Sequence, residues 1–333
     1  MDVYLKALEK EMLLHKGQPI DTLYFGGGTP SILSVAQWKR SMARLRSCFV
    51  FAPDMEITIE CNPENIHSKL VQTYIREGVN RLSLGLQTSN NSLLKKIGRM
   101  HTWENFSEAY SICRQEGVKN INLDLIFGLP RQTFKNWKET LRQVLDLRPE
   151  HLSFYPLDIE KRSAFYFDGI SVDLDLQADM FEWAQEQMEA HGYEQYEVVN
   201  YSLPGFNCRH NLKYWKNLPT LGIGLSAASF DGKTRSHNRD KFWDYIKAIK
   251  SGKSPTLESE TLFGDDRLRE EILLGLRLKE GIRYSHKMDL KFGSTVKRLT
   301  QEGFLQFSSD GQRISATLKG WLLSSHVYKE LLN

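Results

Sequence analysis

Three consecutive glycines follow a short apolar segment in Tyr24–Pro30 (YFGGGTP). Glycine lets the backbone approach a ligand closely because it has no Cβ. The free N–H groups of such a turn can bind a carboxylate or a phosphate. The run is neither GxGxxG nor a Walker P-loop, since no Lys-Ser or Lys-Thr pair follows Gly28. By itself it predicts either a ligand-binding turn or a tight turn from a strand into a helix.

Three polar residues lie at the ends of strand-like apolar segments: Glu60, Gln87 and Asp124. Side chains alternate between the two faces of a strand, so each of the three is on the face opposite to its isoleucine or leucine neighbours. In a barrel the apolar face packs on the helices, and these polar side chains then lie inside, near the carboxyl ends of the strands. Barrel active sites are found at that end. The alternative is an open sheet with one hydrated face.

The elements that position these residues alternate between strands and helices. That alternation is typical of a parallel sheet with right-handed crossovers, and the number of units predicts a full or partial (β/α) barrel. Thr102 is expected to cap one of the helices. The predicted strands are Thr22–Phe25, Glu56–Glu60, Arg81–Gln87, Asn120–Phe127 and His151–Leu157, and the helices between them are Val35–Phe49, His67–Gly78, Thr102–Gly117 and Thr133–Asp146.

The pattern changes after Leu157. A long amphipathic helix over Asp175–Gly192 is followed by a strand over Tyr193–Tyr201. Near the C-terminus, two helices and a hairpin around Asp310–Gly311 predict a small winged-helix-like α+β domain. We therefore expect a partial barrel over residues 1–165, a region that completes it over 166–255, and an accessory domain over 256–333.

Composition excludes several classes of protein. The 333 residues are 41% hydrophobic and 26% charged, which excludes disordered and collagen-like chains. The net charge of +3 gives no argument for a nucleic-acid or membrane surface. No apolar run approaches the ~20 residues of a membrane span, and the N-terminus lacks the pattern of a secretory signal. We expect a soluble cytoplasmic protein that neither spans a membrane nor binds nucleic acid.

Seven motifs, in order along the chain, resemble the radical S-adenosylmethionine proteins of the oxygen-independent coproporphyrinogen III oxidase group. They are YFGGGTP, EITIECNPE, GVNRLSLGLQ, INLDLIFGLP, EHLSFYPLDIE, YEQYEVVNY and CRHNLKYW. The HNxxYW element at His210–Trp215 resembles the branch of HemW-type haem chaperones. The resemblance covers nearly the whole chain. It implies a partial (β/α)6 TIM-like barrel, here without its first strand, and a C-terminal winged-helix-like domain.

The resemblance also implies a site for S-adenosylmethionine. The family's glycine motif contacts the methionine part of this molecule, and an acidic residue, a glutamine and an aspartate stand at successive strand ends. An arginine follows the glutamine twelve positions later. Carboxylates suit the ammonium group and the ribose hydroxyls, and backbone N–H groups suit the carboxylate. In this sequence the matching positions are Gly27, Gly28, Thr29, Glu60, Gln87, Arg99 and Asp124.

Two departures from the family pattern concern its iron–sulfur cluster and a loop histidine. Family enzymes bind a [4Fe–4S] cluster through CxxxCxxC, which is expected upstream of Tyr4. The cysteines present do not have this spacing, so we expect the chain as given to bind no cluster, to bind S-adenosylmethionine weakly and not to cleave it. Ala228 stands where the chaperone branch usually has a histidine. The four cysteines are Cys48, Cys61, Cys113 and Cys208.

His210 has two readings. It is either a hydrogen-bonded structural residue or, as the resemblance implies, a haem ligand. Tyr214 and Trp215 can stack on a porphyrin, and the neighbouring Arg209 and Lys213 can meet its propionates.

Two functions follow from the resemblance. The first is a haem chaperone, a carrier with a remnant S-adenosylmethionine site that passes haem to an unidentified acceptor protein. The alternative, if a cluster segment lies upstream, is a radical enzyme that oxidatively decarboxylates coproporphyrinogen III in porphyrin biosynthesis.

Overall fold

Parallel strands with helical crossovers form the largest sheet of the chain, in a computed structural model that describes residues 1–161 and 163–332. The order of its strands is β1-β2-β3-β4-β5-β7-β6. Strands β2 to β5 pair in parallel, whereas β7 pairs antiparallel with both β5 and β6. The seven strands are β1 Pro19–Phe25, β2 Val50–Cys61, β3 Arg81–Gln87, β4 Ile121–Phe127, β5 His151–Pro156, β6 Glu194–Gln195 and β7 Asn200–Ser202.

The helices agree with the alternation expected from the sequence. Thr102 caps its helix as predicted, and its hydroxyl and the Asn105 side chain form a capping box. No described helix is both long and apolar enough to cross a membrane. The helices are α1 Asp2–Leu14, α2 Val35–Cys48, α3 Ser68–Arg76, α4 Asn91–Lys96, α5 Trp103–Gln115, α6 Phe134–Asp146, α7 Ala164–Phe167, α8 Leu174–Ala190, α9 Arg209–Trp215, α10 Phe242–Lys250, α11 Gly264–Gly275, α12 His286–Gln301, α13 Leu318–Leu322 and α14 Ser324–Leu332.

The register of the sheet aligns its polar side chains. Glu60 lies opposite Ser83, Ser83 opposite Asn122, and Asn122 opposite His151. In the next layer Asp124 lies between Gly85 and Ser153. The other face is apolar and fully buried, as expected of strands covered by helices. Its residues include Ile57, Ile59, Leu82, Leu84, Ile121, Leu123 and Leu125.

The segment Tyr193–Tyr201 differs from its prediction as a single strand. It forms two short strands, because the chain reverses direction between Gln195 and Asn200. Gln195 then pairs antiparallel with Tyr201, and the Tyr196 N–H donates to the Asn200 carbonyl. The end of the sheet is therefore an antiparallel hairpin.

The chain divides into two units. The first comprises Met1–Asp21, Ala36–Met55 and Cys208–Asn333, and the second comprises Thr22–Val35 and Glu56–Asn207. The domain boundaries expected after residues 165 and 255 stay a prediction.

The C-terminal part of the first unit has the winged-helix-like arrangement expected from the sequence. Helices α11 and α12 precede an antiparallel pair of strands, and a third short strand joins this pair. The turn between the paired strands contains Asp310, whose carboxylate accepts from the Gln312 N–H at 3.0 Å. The strands are β11 Ile282–Arg283, β12 Leu305–Phe307 and β13 Arg313–Ala316; a further antiparallel sheet of the first unit contains β8 Ala228–Phe230, β9 Thr234–Asn238 and β10 Thr256–Thr261.

A buried carboxylate joins α1 to three other segments of the first unit. Glu11 is 1% exposed and accepts from the Gly224 N–H at 2.8 Å, Asn238 Nδ2 at 2.6 Å and the Tyr245 hydroxyl at 2.6 Å. Burial raises the pKa of Glu11, and the three hydrogen bonds oppose that rise. The carboxylate thus satisfies donors from a loop, a strand and a helix at once.

We expect Glu11→Ala to lower the free energy of unfolding by about 3–5 kcal/mol, because three buried donors lose their acceptor. Lys10→Ala is the matched control, since Lys10 is exposed on the same helix; it should change stability by less than about 0.5 kcal/mol. Denaturant unfolding followed by circular dichroism measures both variants. A Glu11→Ala variant as stable as the Lys10→Ala variant would contradict this account.

Candidate functional site

The glycine turn after β1 lies directly over the Glu60 side chain. Glu60 Oε1 accepts from the Tyr24 hydroxyl at 2.9 Å, and Oε2 accepts from the Gly27 N–H at 3.2 Å. A Cβ on Gly26 would lie 2.7 Å from Glu60 Oε1, which is closer than real Cβ contacts. Gly27 has φ +84°, a left-handed conformation that favours glycine. Two of the three glycines are therefore required by the turn itself.

The outer part of this turn is open. Gly26, Gly27 and Gly28 are exposed, and no atom beyond the chain neighbours lies within 4 Å of a Cβ placed on Gly28. Thr29 is half-buried at the N-cap of a short 3-10 turn, and its side chain does not cap that turn. Backbone N–H groups at such an exposed turn can face an anionic ligand group.

The electrostatics of Glu60 follow from its partial burial. Desolvation raises its pKa, and the nearby Asp124 carboxylate raises it further. The hydrogen bonds from Tyr24 and Gly27 act in the opposite direction because they stabilise the charged form. The pKa of the Tyr24 phenol is raised in turn, chiefly by burial and by the Glu60 charge. Tyr24 therefore stays a donor to this carboxylate.

Gln87 and Arg99 both approach Gly85 on β3. A Cβ on Gly85 would lie 3.1 Å from Gln87 Nε2 and 3.6 Å from Arg99 Nη2. Gln87 has φ 71° and follows an irregularity in the register between β3 and β4. Arg99 Nη1 donates to Asn62 Oδ1 at 3.3 Å. Both residues of the predicted twelve-residue spacing thus lie near Gly85 in the second unit.

Asp124 is surrounded by donors from its own layer and the next one. Its carboxylate accepts from the Ser83 hydroxyl at 3.0 Å and from Asn122 Nδ2 at 2.9 Å. Desolvation raises the pKa of Asp124, whereas these hydrogen bonds and the Arg81 charge lower it. The carboxylate keeps further lone pairs with which it can accept from ligand hydroxyls.

Several buried polar residues around Asp124 were not predicted as site residues. Arg81 is 2% exposed and His151 is completely buried. Strand alternation already placed Ser83 and Asn122 on the polar face, so their positions were predictable. His151 is the first residue of β5, and this position was the sequence feature that could have placed it beside Ser83 and Asn122.

The cysteines of the chain do not fit an iron–sulfur cluster. All four are buried, and burial raises the pKa of Cys113 to about 12 and that of Cys61 well above its usual range. A cluster requires thiolates. Over residues 1–161 and 163–332, no group of three or more histidine, cysteine, aspartate or glutamate side chains is placed to hold a metal ion. None of the four is therefore a fitting cluster ligand.

His210 lies in the first unit, on α9. Its Nε2 atom shares a hydrogen bond of 2.9 Å with the Tyr214 hydroxyl, and the two rings meet edge to face. Tyr214 is 44% exposed. The Arg277 guanidinium covers one face of the Trp215 ring at 4.3 Å. A ligand that binds to the Nε2 atom of His210 must first displace the Tyr214 hydroxyl.

The two cations beside His210 already have carboxylate partners. Arg209 bonds Asp54 at 3.0 Å, and Lys213 bonds Asp21 at 2.7 Å. The propionates of a haem would therefore compete with Asp54 and Asp21 for these two cations. Ala228 is exposed on β8 and lies opposite His237 of β9.

Comparisons with known proteins identify the relatives of this chain. The model of the Radical SAM superfamily matches residues 3–144, and that of the HemN C-terminal domain matches residues 264–323. The haem chaperone HemW of Bacillus subtilis (strain 168) is 34% identical over 100% of this chain and 92% of its own length. HemW of Lactococcus lactis subsp. lactis is 33% identical over 100% of this chain and 90% of its own length.

The structural comparison supports the same relationship. Coproporphyrinogen III oxidase (HemN) from Escherichia coli, a radical SAM enzyme, has a TM-score of 0.85 and 25% identity, covering 99% of this chain and 82% of that chain. The curled, mostly parallel half-barrel and small C-terminal domain expected from the sequence are thus confirmed. Because the similarity to HemW proteins extends over the whole chain, this chain belongs to the HemW family within the radical SAM superfamily.

Proposed function

We propose that this chain is a haem chaperone: it binds haem as cargo, passes it to an acceptor protein, and has a site for S-adenosylmethionine. The observation that carries the proposal is its similarity to HemW haem chaperones along the whole chain. The glycine turn and the polar face of the sheet support the second part, because their chemistry suits a zwitterionic amino acid joined to a ribose.

Different residues of the second unit suit different chemical groups of S-adenosylmethionine. The exposed Gly28 backbone suits the carboxylate of the ligand, while the Gly27 N–H beside it donates to Glu60 Oε2. Glu60 suits its ammonium group, and Asp124 suits the ribose hydroxyls. Gln87 and Arg99 supply further donors beside Gly85. In radical SAM enzymes the bound molecule supplies a 5′-deoxyadenosyl radical after reductive cleavage. The cysteines present give no support for that step in this chain.

Haem binding is assigned to the segment around His210. An imidazole is an ordinary ligand of haem iron, and aromatic side chains can pack on the porphyrin. His210 and Tyr214 lie on one short helix, and the hydrogen bond between them holds the imidazole in a defined orientation. Haem would replace the hydroxyl at this nitrogen.

Coproporphyrinogen III oxidation is the second candidate, and the TM-score of 0.85 with the HemN enzyme favours it. The iron ligands distinguish the two candidates, because the radical enzyme needs a cluster and a haem carrier does not. Cleavage of S-adenosylmethionine by this chain would favour the enzyme.

The first prediction concerns Gly26, whose Cβ would meet Glu60. Gly26→Ala should lower the free energy of unfolding by about 1–3 kcal/mol, because the turn and the carboxylate must separate. It should also weaken S-adenosylmethionine binding about tenfold, since one oriented acceptor is displaced. Calorimetric titration measures the affinity, and denaturant unfolding measures the stability.

Gly28→Ala is the matched control for stability. The new Cβ meets no atom within 4 Å, and φ is not positive. We expect wild-type stability from this variant. Equal stability and affinity in Gly26→Ala and wild type would contradict the placement of Glu60 under the turn.

The second prediction concerns the haem ligand. His210→Ala should weaken haem binding at least about tenfold and change the Soret band, because the iron loses an imidazole. Tyr214→Phe is the matched variant: it removes the hydroxyl that occupies Nε2, so haem should bind at least as tightly as to wild type. Circular dichroism checks that both variants are folded. Identical spectra and affinities of His210→Ala and wild type would return His210 to a structural role.

The third prediction concerns iron. After anaerobic reconstitution, this chain should hold far less than the about four irons of a [4Fe–4S] cluster. It should also form no 5′-deoxyadenosine with dithionite. The control is the variant in which all four cysteines are serine, and its iron content should equal that of wild type. Stoichiometric iron that is lost in the control would show that these cysteines do bind a cluster.

A further inference from the structure

A chain of hydrogen bonds runs through the polar face of the sheet to Asp124. The Tyr196 hydroxyl lies 2.7 Å from His151 Nε2, and His151 Nδ1 lies 2.6 Å from Asn122 Oδ1. Asn122 Nδ2 lies 2.9 Å from Asp124 Oδ1. All four residues belong to the second unit, and His151 is completely buried between its two partners.

The Asp124 carboxylate at one end fixes the donor-to-acceptor direction of this series of hydrogen bonds. An ionised carboxylate only accepts, so the Asn122 amide must present its NH₂ group to Asp124. The same NH₂ group donates to Ser83 Oγ at 2.7 Å, and the Ser83 hydroxyl donates in turn to Asp124 Oδ2 at 3.0 Å. The Asn122 oxygen then faces His151 and also accepts from the Ser153 hydroxyl at 3.0 Å.

The tautomer of His151 follows from this orientation. Its Nδ1 atom must carry the hydrogen, because Asn122 Oδ1 can only accept. In the neutral ring Nε2 is then an acceptor, and the Tyr196 hydroxyl donates to it. A protonated ring would have no acceptor at Nε2 unless the Tyr196 hydroxyl turned away from its role as donor. The four residues therefore form one array with a single direction.

We propose that His151 is a positioning residue for Asp124: with Tyr196 behind it, the imidazole locks the Asn122 amide so that its NH₂ group faces the carboxylate. One side of Asp124 is then held by Asn122 and Ser83, and its remaining lone pairs face a ligand in a fixed direction. The consequence for affinity rests on the proposed S-adenosylmethionine site, since Asp124 is the group that meets the ribose there.

The charges around this array favour the neutral ring. Burial and the Arg81 cation lower the pKa of His151 well below its usual range. The groups that face Asp124 are Arg81 and Glu60 together with the phenols of Tyr24 and Tyr155. Arg81 thus acts on both ends of the array: it disfavours a proton on His151 and favours the charge on Asp124.

Three variants separate positioning from simple packing. His151→Asn keeps a donor in the place of Nδ1, whereas His151→Leu removes it and Tyr196→Phe removes only the donor to Nε2. We expect His151→Leu to bind S-adenosylmethionine about tenfold more weakly, as for the loss of one oriented hydrogen bond. His151→Asn should recover most of that loss. Calorimetry measures the affinity, and circular dichroism shows whether each variant is folded.

The tautomer of the His151 imidazole is a measurable property that a role in packing alone would not determine. In wild type labelled with ¹⁵N-histidine, His151 should show the neutral form with hydrogen on Nδ1 from pH 8 down to at least about pH 6, below the ordinary pKa of histidine. Tyr196→Phe should keep the hydrogen on Nδ1, because Asn122 Oδ1 still requires a donor there. An Nε2–H form in wild type, or equal affinity in His151→Leu and wild type, would overturn the proposal.

The experiments distinguish failure of the proposed S-adenosylmethionine site from failure of the proposed positioning role of His151. If wild type binds no S-adenosylmethionine, the proposed site is wrong, and the array is tested by the ¹³Cγ titration of Asp124 instead. His151→Leu should then raise the pKa of Asp124 relative to wild type, because the amide is no longer aimed at the carboxylate, and His151→Asn should restore it. An unchanged titration in His151→Leu would overturn the positioning role.

Discussion

Polar side chains inside a sheet must find their hydrogen-bond partners within the protein, and this constraint governs the second unit. A buried donor or acceptor without a partner costs about 1–3 kcal/mol. The parallel register meets this requirement by placing Ser83, Asn122 and His151 side by side, one layer below Asp124. The site carboxylate therefore rests on an ordered layer of amide, hydroxyl and imidazole groups.

The glycine turn shows the same principle at the upper end of the strands. Glu60 is partly withdrawn from water, and the hydrogen bonds that it accepts from Tyr24 and from the backbone of Gly27 stabilise its charged form. That contact leaves no room for a Cβ on Gly26. The turn and the carboxylate are thus one unit of structure, and a ligand that meets one of them meets a pre-arranged pair.

The segment around His210 and the cysteines have a different chemistry. His210 and Tyr214 hold each other on a short helix, and the cations beside them are already paired with carboxylates. Capture of haem there would be an exchange of existing contacts. The four cysteines, by contrast, are buried, and burial raises the pKa values of Cys61 and Cys113, which suits packing better than metal binding.

The sequence by itself determined the alternation of strands and helices, the polar face of the sheet with Glu60, Gln87 and Asp124, and the glycine turn. These features depend on local backbone geometry, in which side chains alternate along a strand and glycine permits a left-handed turn. The seven ordered motifs also indicated the family and pointed to Arg99 as a site residue.

Only the tertiary structure decided which of these residues touch. The clash that excludes a Cβ at Gly26, the approach of Arg99 to Gly85 and the array from Tyr196 to Asp124 join segments that are separated in sequence. The reversal within Tyr193–Tyr201 has the same origin, since its two short strands are defined by pairing with each other and with β5. Register between distant strands sets such contacts, and a pattern that repeats every two residues along one strand does not specify the register of its neighbour.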